Sequence, residues 1–164
     1  MENQKAPTFK LKNIAGGTVA LSSYGGKWVV LVFYRGNWCP KCNLQIADLE
    51  KDYEKFKALH SEIIAVSTDT LKGAQKTQKK SQALFPILID SDNEVINLYG
   101  VATEKRELKD VPALLRGKKA GTYAMPAVFI IDVQGIIRYS YVGKSFTDRP
   151  DNEELLKKLS ELQS

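Results

Sequence analysis

Apolar and polar residues follow one another along the chain in two periods, one typical of strands and one typical of helices. Residues 8–12 and 19–21 show the two-residue period on either side of a Gly-Gly turn at 16–17, which predicts an N-terminal β-hairpin. Residues 28–34 are continuously apolar, as expected of a central strand that is buried on both faces. The sequence therefore predicts a hairpin followed by the central strand of a sheet.

A long helix is predicted directly after this strand, over residues 39–60. Its apolar residues recur at helical spacing, and we expect them to face the core together. They are Leu44, Ile46, Leu49, Tyr53, Phe56 and Leu59. Charged residues occupy the other positions, so the pattern indicates an amphipathic helix packed on the sheet.

The rest of the chain alternates between short strands and helices until a hairpin and a helix close it. Strands are predicted at 63–67, within 85–90, at 127–131 and at 136–141, and helices at 71–82, 94–99 and 151–162. The segment 102–122 is irregular and rich in charge, so it is interpreted as an inserted loop. This order predicts an α/β fold in which a central mixed sheet is flanked by helices.

The size and composition fit a single soluble domain that covers residues 1–164. Apolar residues make up 43% of the chain and charged residues 26%, which allows a core without disulfide bonds or metal ions. Two cysteines do not form the framework of a secreted disulfide-rich protein. The start of the chain is polar, and residues 28–34 are too few to cross a bilayer. We therefore expect a cytoplasmic protein with no membrane partner.

The net charge of +5 is modest, and its basic residues form two clusters. One lies in the predicted helix 71–82 and the other within the segment 102–122. No motif that interleaves aromatic and basic residues is present, so we expect no nucleic-acid partner. The clusters are interpreted as solvated surface, with docking of an acidic partner as the alternative.

The candidate chemistry lies in the only two cysteines, which form a Cys-x-x-Cys pair at the junction of strand 28–34 and helix 39–60. The start of a helix presents free backbone N–H groups and the positive end of the helix dipole, and both stabilise a thiolate. With Cys39 at the N-cap, its sulfur accepts a hydrogen bond from the backbone N–H of Cys42. The pair therefore predicts attack on a sulfur or oxygen electrophile followed by resolution through the second cysteine.

Two other interpretations of the cysteines stay open. The cysteines are inert and simply packed in the core, or they are part of a metal site. Zinc needs four ligands, and His60 at the far end of the predicted helix cannot be the third. Redox chemistry is favoured over both.

The sequence around the cysteines resembles known redox proteins. Trp38-Cys39-Pro40-Lys41-Cys42 resembles the Trp-Cys-x-x-Cys motif of thioredoxins. Together with Ala-Pro-Thr-Phe at 6–9, Phe-Tyr-Arg-Gly at 33–36, Phe-Pro-Ile-Leu-Ile-Asp at 85–90 and Phe-Ile-Ile-Asp at 129–132, it resembles the peroxiredoxin-like branch of the AhpC/TSA family, whose members are alkyl hydroperoxide reductases and thiol-specific antioxidants. The resemblance implies a thioredoxin-like fold with an N-terminal hairpin extension.

The resemblance also implies a function in antioxidant defence and cell redox homeostasis. It implies an enzyme that needs no cofactor, is regenerated by a thioredoxin- or glutathione-type reductant, and is compatible with an oligomer. The substrate class is a disulfide-containing protein, a small oxidised thiol or a peroxide.

The chain departs from the family pattern Pro-x-x-x-Thr-x-x-Cys at several positions. Cys42 falls at the position of the peroxidatic cysteine, Cys39 replaces the threonine, and Arg35 replaces the proline. The arginine that the family carries at the start of a late strand falls at Pro126, so a guanidinium group is expected to be missing. These departures favour a thiol–disulfide oxidoreductase that cycles Cys39 and Cys42, with Cys39 attacking first.

Two alternatives to disulfide exchange are kept. One is a thiol-dependent peroxidase that reduces hydrogen peroxide or alkyl hydroperoxides, with Cys42 as the peroxidatic cysteine. The other is a metal-binding module of thioredoxin-like shape.

Four further residues are candidates for substrate binding. Met125-Pro126, just before a predicted strand, resembles the cis-proline loop of thioredoxin-like folds, which would turn the Met125 backbone toward the dithiol and an extended substrate. The alternative is a proline that merely enters a strand. Trp38 is expected to shape the rim of the site or to pack beside the helix. Arg35 is expected to have a surface or helix-capping role, with holding a substrate or raising the local positive potential as the alternative.

Overall fold

The computed structural model describes residues 1–103 and 123–164, in which seven strands form one mixed sheet. The strands are β1 (Lys10–Asn13), β2 (Thr18–Ala20), β3 (Trp28–Phe33), β4 (Ser61–Ser67), β5 (Ile87–Ile89), β6 (Ala127–Ile131) and β7 (Ile137–Val142). Their order in the sheet is β2-β1-β5-β4-β3-β6-β7. Strand β3 pairs in parallel with β4 and antiparallel with β6, as its continuous apolar sequence predicts for a central strand.

Five α-helices among these described residues cover the two faces of the sheet. They are α1 (Pro40–Lys51), α2 (Tyr53–Ala58), α3 (Leu71–Ser81), α4 (Glu94–Leu98) and α5 (Asn152–Gln163). Alternate residues of β3 face opposite sides of the sheet and enter different cores. Val30 and Val32 pack with α1, α2, α3 and α5, whereas Leu31 packs with α4. All three residues are fully buried. The predicted α/β fold, a central mixed sheet flanked by helices, is confirmed.

Two hairpins lie at the ends of the sheet. Strands β1 and β2 pair antiparallel around Gly16 and Gly17, and both glycines adopt the positive φ angles that a turn of this kind requires. Strand β1 also pairs with β5, which joins the predicted N-terminal hairpin to the main sheet. The second hairpin joins β6 to β7, and in its turn the Asp132 carboxylate accepts the backbone N–H groups of Gln134 and Ile136.

The single helix predicted over residues 39–60 is wrong, because the helix is divided at Asp52. The side-chain amide of Asn152 donates to the backbone carbonyl of Asp48, at 2.7 Å, and to the Asp52 carboxylate, at 3.0 Å. A side chain that competes for a helical carbonyl bends or breaks a helix. The Asp48 carbonyl still accepts the Asp52 N–H, at 3.3 Å, so it is shared between the helix and a residue of α5 that is about 100 positions away in the sequence.

The expectation that Leu44 faces the core is also wrong, since this side chain is 54% exposed. Cys42, Ile46 and Leu49 form the buried stripe of α1, at spacings of four and three residues. Leu44 lies two residues from both Cys42 and Ile46, which is about 200° around a helix of 3.6 residues per turn. It therefore projects from the opposite side.

The predicted loop 102–122 lies almost wholly outside the described residues. Its first two residues are described: Ala102 forms a bridge with Ala124, and Thr103 exchanges hydrogen bonds with Tyr123. No helix within residues 1–103 and 123–164 combines the length and apolar character needed to span a bilayer.

We expect the replacement Leu49→Ala to lower the free energy of unfolding by about 2–5 kcal/mol, because it opens a cavity in a fully buried part of the core. Leu44→Ala is the matched control on the same helix, and its exposed side chain predicts a change within about 0.5 kcal/mol. Urea denaturation followed by far-UV circular dichroism measures both. Equal effects would contradict the assigned orientation of α1.

Candidate active site

Both cysteines lie at the start of α1, where the chain leaves the end of β3. Cys39 is the N-cap residue in an extended conformation, and Pro40 is the first residue of the helix. The Cys39 Sγ accepts a hydrogen bond from the backbone N–H of Cys42 at 3.3 Å. Both cysteines are free thiols, so the structure is that of the reduced dithiol. The predicted N-cap geometry is present.

The loop before Cys39 is fixed by Asp69, which lies between β4 and α3. Its carboxylate accepts hydrogen bonds from both the backbone and the side chain of Asn37, each at 2.8 Å. The carbonyl of Asn37 in turn accepts from the side chain of Asn43 on α1. Gly36 leaves space for the Trp38 ring, since an added Cβ would lie 2.7 Å from its Nε1. The loop is therefore held on both sides of the N-cap.

The environment of Cys39 favours its thiolate and lowers its pKa to about 6. The largest cause is the hydrogen bond from the Cys42 thiol, and the backbone N–H of Cys42 adds to it. The positive charges of Arg35 and Arg149 act in the same direction, whereas burial opposes the ionised form. Cys39 is therefore mostly thiolate at neutral pH.

The environment of Cys42 has the opposite effect and raises its pKa well above the usual value. Burial is the largest cause, followed by the hydrogen bond that its thiol donates to Cys39 and by the negative charge there. Arg149 partly offsets these effects. The pair consequently shares one proton, with the thiolate on Cys39 and the thiol on Cys42.

Arg149 is a site residue that the sequence did not reveal. It lies between β7 and α5, and its Nη2 donates to the Cys42 Sγ at 3.6 Å. Its Nη1 donates to the Gln45 side chain at 2.9 Å. The expectation of a missing guanidinium group is therefore wrong: Pro126 replaces the arginine of the late strand, and Arg149 brings one to the thiols from a different loop. No motif marks Arg149, which is 107 residues from Cys42 in the chain.

Arg35 is held inside a cluster of aromatic rings beside the dithiol. Its guanidinium carbon lies 3.4 Å from the ring centre of Phe146, 4.7 Å from that of Trp38 and 4.9 Å from that of Tyr123. Trp38 packs edge-on against Tyr123 at 5.5 Å. The favoured prediction of a surface or helix-capping role for Arg35 is wrong, because this guanidinium is stacked and lowers the pKa of Cys39.

Met125 and Pro126 do not form the predicted cis-proline loop. No cis peptide bond occurs in the described ranges, so the bond before Pro126 is trans. The Met125 N–H donates to the Val101 carbonyl at 2.8 Å, and the buried Pro126 accepts the N–H of Gly143 through its carbonyl at 2.8 Å. The Met125 N–H, part of the backbone that was expected to pair with a substrate, is therefore used within the fold.

The metal-binding alternative gains no support from the part of the chain that the structure describes. No group of three or more His, Cys, Asp or Glu side chains is arranged there as a metal site.

The shared proton makes a prediction for two variants of Cys42. We expect Cys42→Ala to raise the pKa of Cys39 by about one to two units, because a hydrogen bond to a charged group contributes about 1.5–3 kcal/mol. Cys42→Ser keeps a hydroxyl donor and should raise this pKa less. The pH dependence of alkylation by iodoacetamide measures the pKa in each variant. Indistinguishable alanine and serine variants would show that the side-chain hydrogen bond has no influence.

Comparison with known proteins places this site in a family. Peroxiredoxin Q of Triticum aestivum, a chloroplast protein, is 32% identical over 82% of the chain and 56% of its own length. Peroxiredoxin Q of Populus jackii is 30% identical over 98% of the chain and 68% of its own length. The chain thus spans only a little more than half the length of the wheat relative.

A solved structure supports the same assignment at the level of the fold. The peroxidoxin BcpB of Mycobacterium tuberculosis superposes with a TM-score of 0.80 over 99% of this chain and 98% of its own, at 19% sequence identity. This likeness confirms the predicted thioredoxin-like fold. A sequence model of the AhpC/TSA family matches residues 3–140, which is most of the chain. The protein with this dithiol therefore belongs to the AhpC/TSA family, as the motifs predicted.

Proposed function

We propose that this chain is a thiol-dependent peroxidase in which Cys39 attacks the peroxide and Cys42 resolves the product. The observation that carries the proposal is the split ionisation of a buried dithiol, a thiolate at Cys39 hydrogen-bonded to a thiol at Cys42. The two relatives of 30–32% identity are named as peroxiredoxins, which supports a peroxide as the electrophile.

Burial favours a small electrophile over a protein disulfide. Cys39 is 3% exposed and Cys42 is fully buried. A sulfur that attacks a protein disulfide must meet that bond in line on a partner surface, whereas a hydroperoxide presents only two oxygen atoms. The Met125 N–H, which would pair with an extended substrate, is already bonded to Val101.

The proposed reaction has two steps on the protein. The Cys39 thiolate attacks the terminal oxygen of ROOH, the O–O bond breaks, and Cys39 becomes a sulfenic acid while the alkoxide leaves and is protonated to ROH. The Cys42 sulfur then attacks the Cys39 sulfur, so that a disulfide forms and water leaves. A reductant that supplies two thiols, of the thioredoxin or glutathione type, restores the dithiol and becomes a disulfide itself.

The two guanidinium groups support the charge changes of the first step. Arg35 and Arg149 both favour the attacking thiolate through their positive charge. Negative charge moves from the sulfur to the departing oxygen during the attack, and fixed cations nearby stabilise it there. Trp38 packs on Arg35 and Tyr123, which gives it a role in holding Arg35 near the substrate.

The order of attack is the reverse of what the family pattern assigns. Cys42, at the position of the peroxidatic cysteine, is fully buried and has a raised pKa, so it is poorly prepared to attack first. The same features suit a resolving thiol, which reacts only with the neighbouring sulfur.

Disulfide exchange with a protein is the second candidate. It is favoured by the Cys-Pro-Lys-Cys sequence at a helix start and by the low pKa of Cys39. The same dithiol would then reduce a protein disulfide, provided that the partner reached Cys39.

We expect Cys39→Ser to lose peroxide turnover almost completely, at least about a hundredfold, because it removes the attacking thiolate. Cys42→Ser is the matched variant and should still reduce one equivalent of peroxide, leaving a sulfenic acid on Cys39 that dimedone traps. Peroxide consumption with thioredoxin or glutathione as reductant, and mass spectrometry of the trapped species, measure both results.

Two outcomes of this experiment contradict the proposal. Rapid turnover by Cys39→Ser with an added thiol would assign the attack to Cys42. Efficient reduction of insulin disulfides by a wild-type protein that consumes no peroxide would favour the second candidate.

A further inference from the structure

The loop between β7 and α5, residues 143–151, contacts both guanidinium groups of the site. Phe146 lies at its centre, and the Phe146 ring is stacked against Arg35, with 3.4 Å between the guanidinium carbon and the ring centre. The backbone carbonyl of the same residue accepts a hydrogen bond from the Nη2 of Arg149. That nitrogen also donates to the Cys42 sulfur. One residue therefore contacts the two arginines through different parts of its structure.

We propose that Phe146 is a positioning residue for the dithiol, holding Arg35 with its ring and Arg149 with its carbonyl, so that both cations stay beside the two sulfurs. It touches neither sulfur, and its effect passes through the arginines. The inference rests on the proposed function, in which Cys39 is the thiolate that these cations support.

The loop has the rigidity that a positioning element needs. The Asp148 carboxylate accepts the backbone N–H of Lys144 at 2.8 Å and the hydroxyl of Tyr141, and both contacts lower the pKa of this carboxyl. The N–H of Gly143 donates to the Pro126 carbonyl. A Cβ at Gly143 would overlap the carbonyl oxygens of Asp148 and Ser145, so the turn requires glycine at this position.

Few other contacts hold the two guanidinium groups. Neither arginine forms an ion pair with a carboxylate within the described ranges, and the Nε atom of each is buried without a hydrogen-bond partner there. Arg35 has the rings and a long contact to the Tyr123 hydroxyl at 3.4 Å. Arg149 has the Gln45 side chain, the Phe146 carbonyl and the Cys42 sulfur. Of the three rings around Arg35, that of Phe146 is the closest.

The experiment compares Phe146→Leu, which removes the aromatic face but keeps an apolar side chain, with Phe146→Tyr, which keeps the face. The groups that act on the pKa of Cys39 are Cys42, Arg35 and Arg149. We expect the leucine variant to raise this pKa by about half a unit to one unit, so that the thiolate fraction below pH 6 falls about 3- to 10-fold. The tyrosine variant should leave the pKa near 6.

A double-mutant cycle tests whether the effect passes through Arg35. In the background Arg35→Gln, the leucine replacement should change the pKa of Cys39 much less than in the wild type. An equal change in both backgrounds would overturn the proposal, and so would an unchanged pKa in a folded Phe146→Leu protein. The readout is the pH dependence of iodoacetamide alkylation, which needs no peroxide.

A second pair of variants tests the loop without altering Phe146. Gly143→Ala should raise the pKa of Cys39, because the loop must shift to accept the methyl group. Gly25→Ala is the matched control, since Gly25 has an ordinary φ of −54° and only one neighbouring atom, at 3.8 Å from the added Cβ. An equal pKa of Cys39 in these two variants would contradict a positioning role for this loop.

The two proposals can fail separately. A wild-type protein without peroxide turnover but with the expected pKa changes would overturn the function and support the positioning role of Phe146.

Discussion

The hydrogen bonds that Cys39 accepts from Cys42 are the interaction on which the chemistry of this protein depends. They exist because the chain turns from β3 into α1 at Cys39, which places its sulfur over the first turn of the helix. Asp69 fixes the loop before Cys39 by accepting hydrogen bonds from Asn37, while α1 fixes the chain after it. The N-cap conformation of Cys39 is therefore held from both sides. The Cys42 thiol contributes most to stabilising the thiolate, the backbone N–H at the helix start adds to it, and the two arginines act in the same direction.

The two arginines show how a site can keep its charge while the residues that supply it change. The late strand begins at Pro126–Ala127 instead of an arginine, yet Pro126 still contributes, because its carbonyl anchors the Gly143 N–H at the start of the loop that carries Arg149. Arg35, at the position of a proline in the family pattern, brings the other cation. The family framework is thus retained, and the guanidinium groups approach the sulfurs from other segments.

The elements that depend on local periodicity could be predicted from the sequence, because burial follows a strand or helix period directly. Strand β6 was predicted with its exact bounds, and the dithiol was correctly placed at a helix N-terminus. The features that failed depend on distant residues. Asn152 contacts Asp48 and Asp52 where the helix divides, and Arg149 reaches Cys42 across 107 positions. No pattern within a window of the sequence carries such information.

The position of Leu44 was predictable in principle, because its spacing from Cys42 and Ile46 already excludes a common face.

The trans bond before Pro126 was not predictable, since the same Met-Pro pair fits a strand entry and a cis-proline loop equally well. What decides between them is whether the neighbouring polar groups find partners inside the fold. Here the Met125 N–H bonds to Val101 and the Pro126 carbonyl to Gly143. The Met125 N–H is therefore not free to pair with a peptide. Burial of both sulfurs is the basis for proposing a small substrate. The hydrogen bonds and the two cations lower the pKa of Cys39, although burial acts against its ionised form. A buried thiol with a low pKa, as proposed above, is suited to attack on small electrophiles.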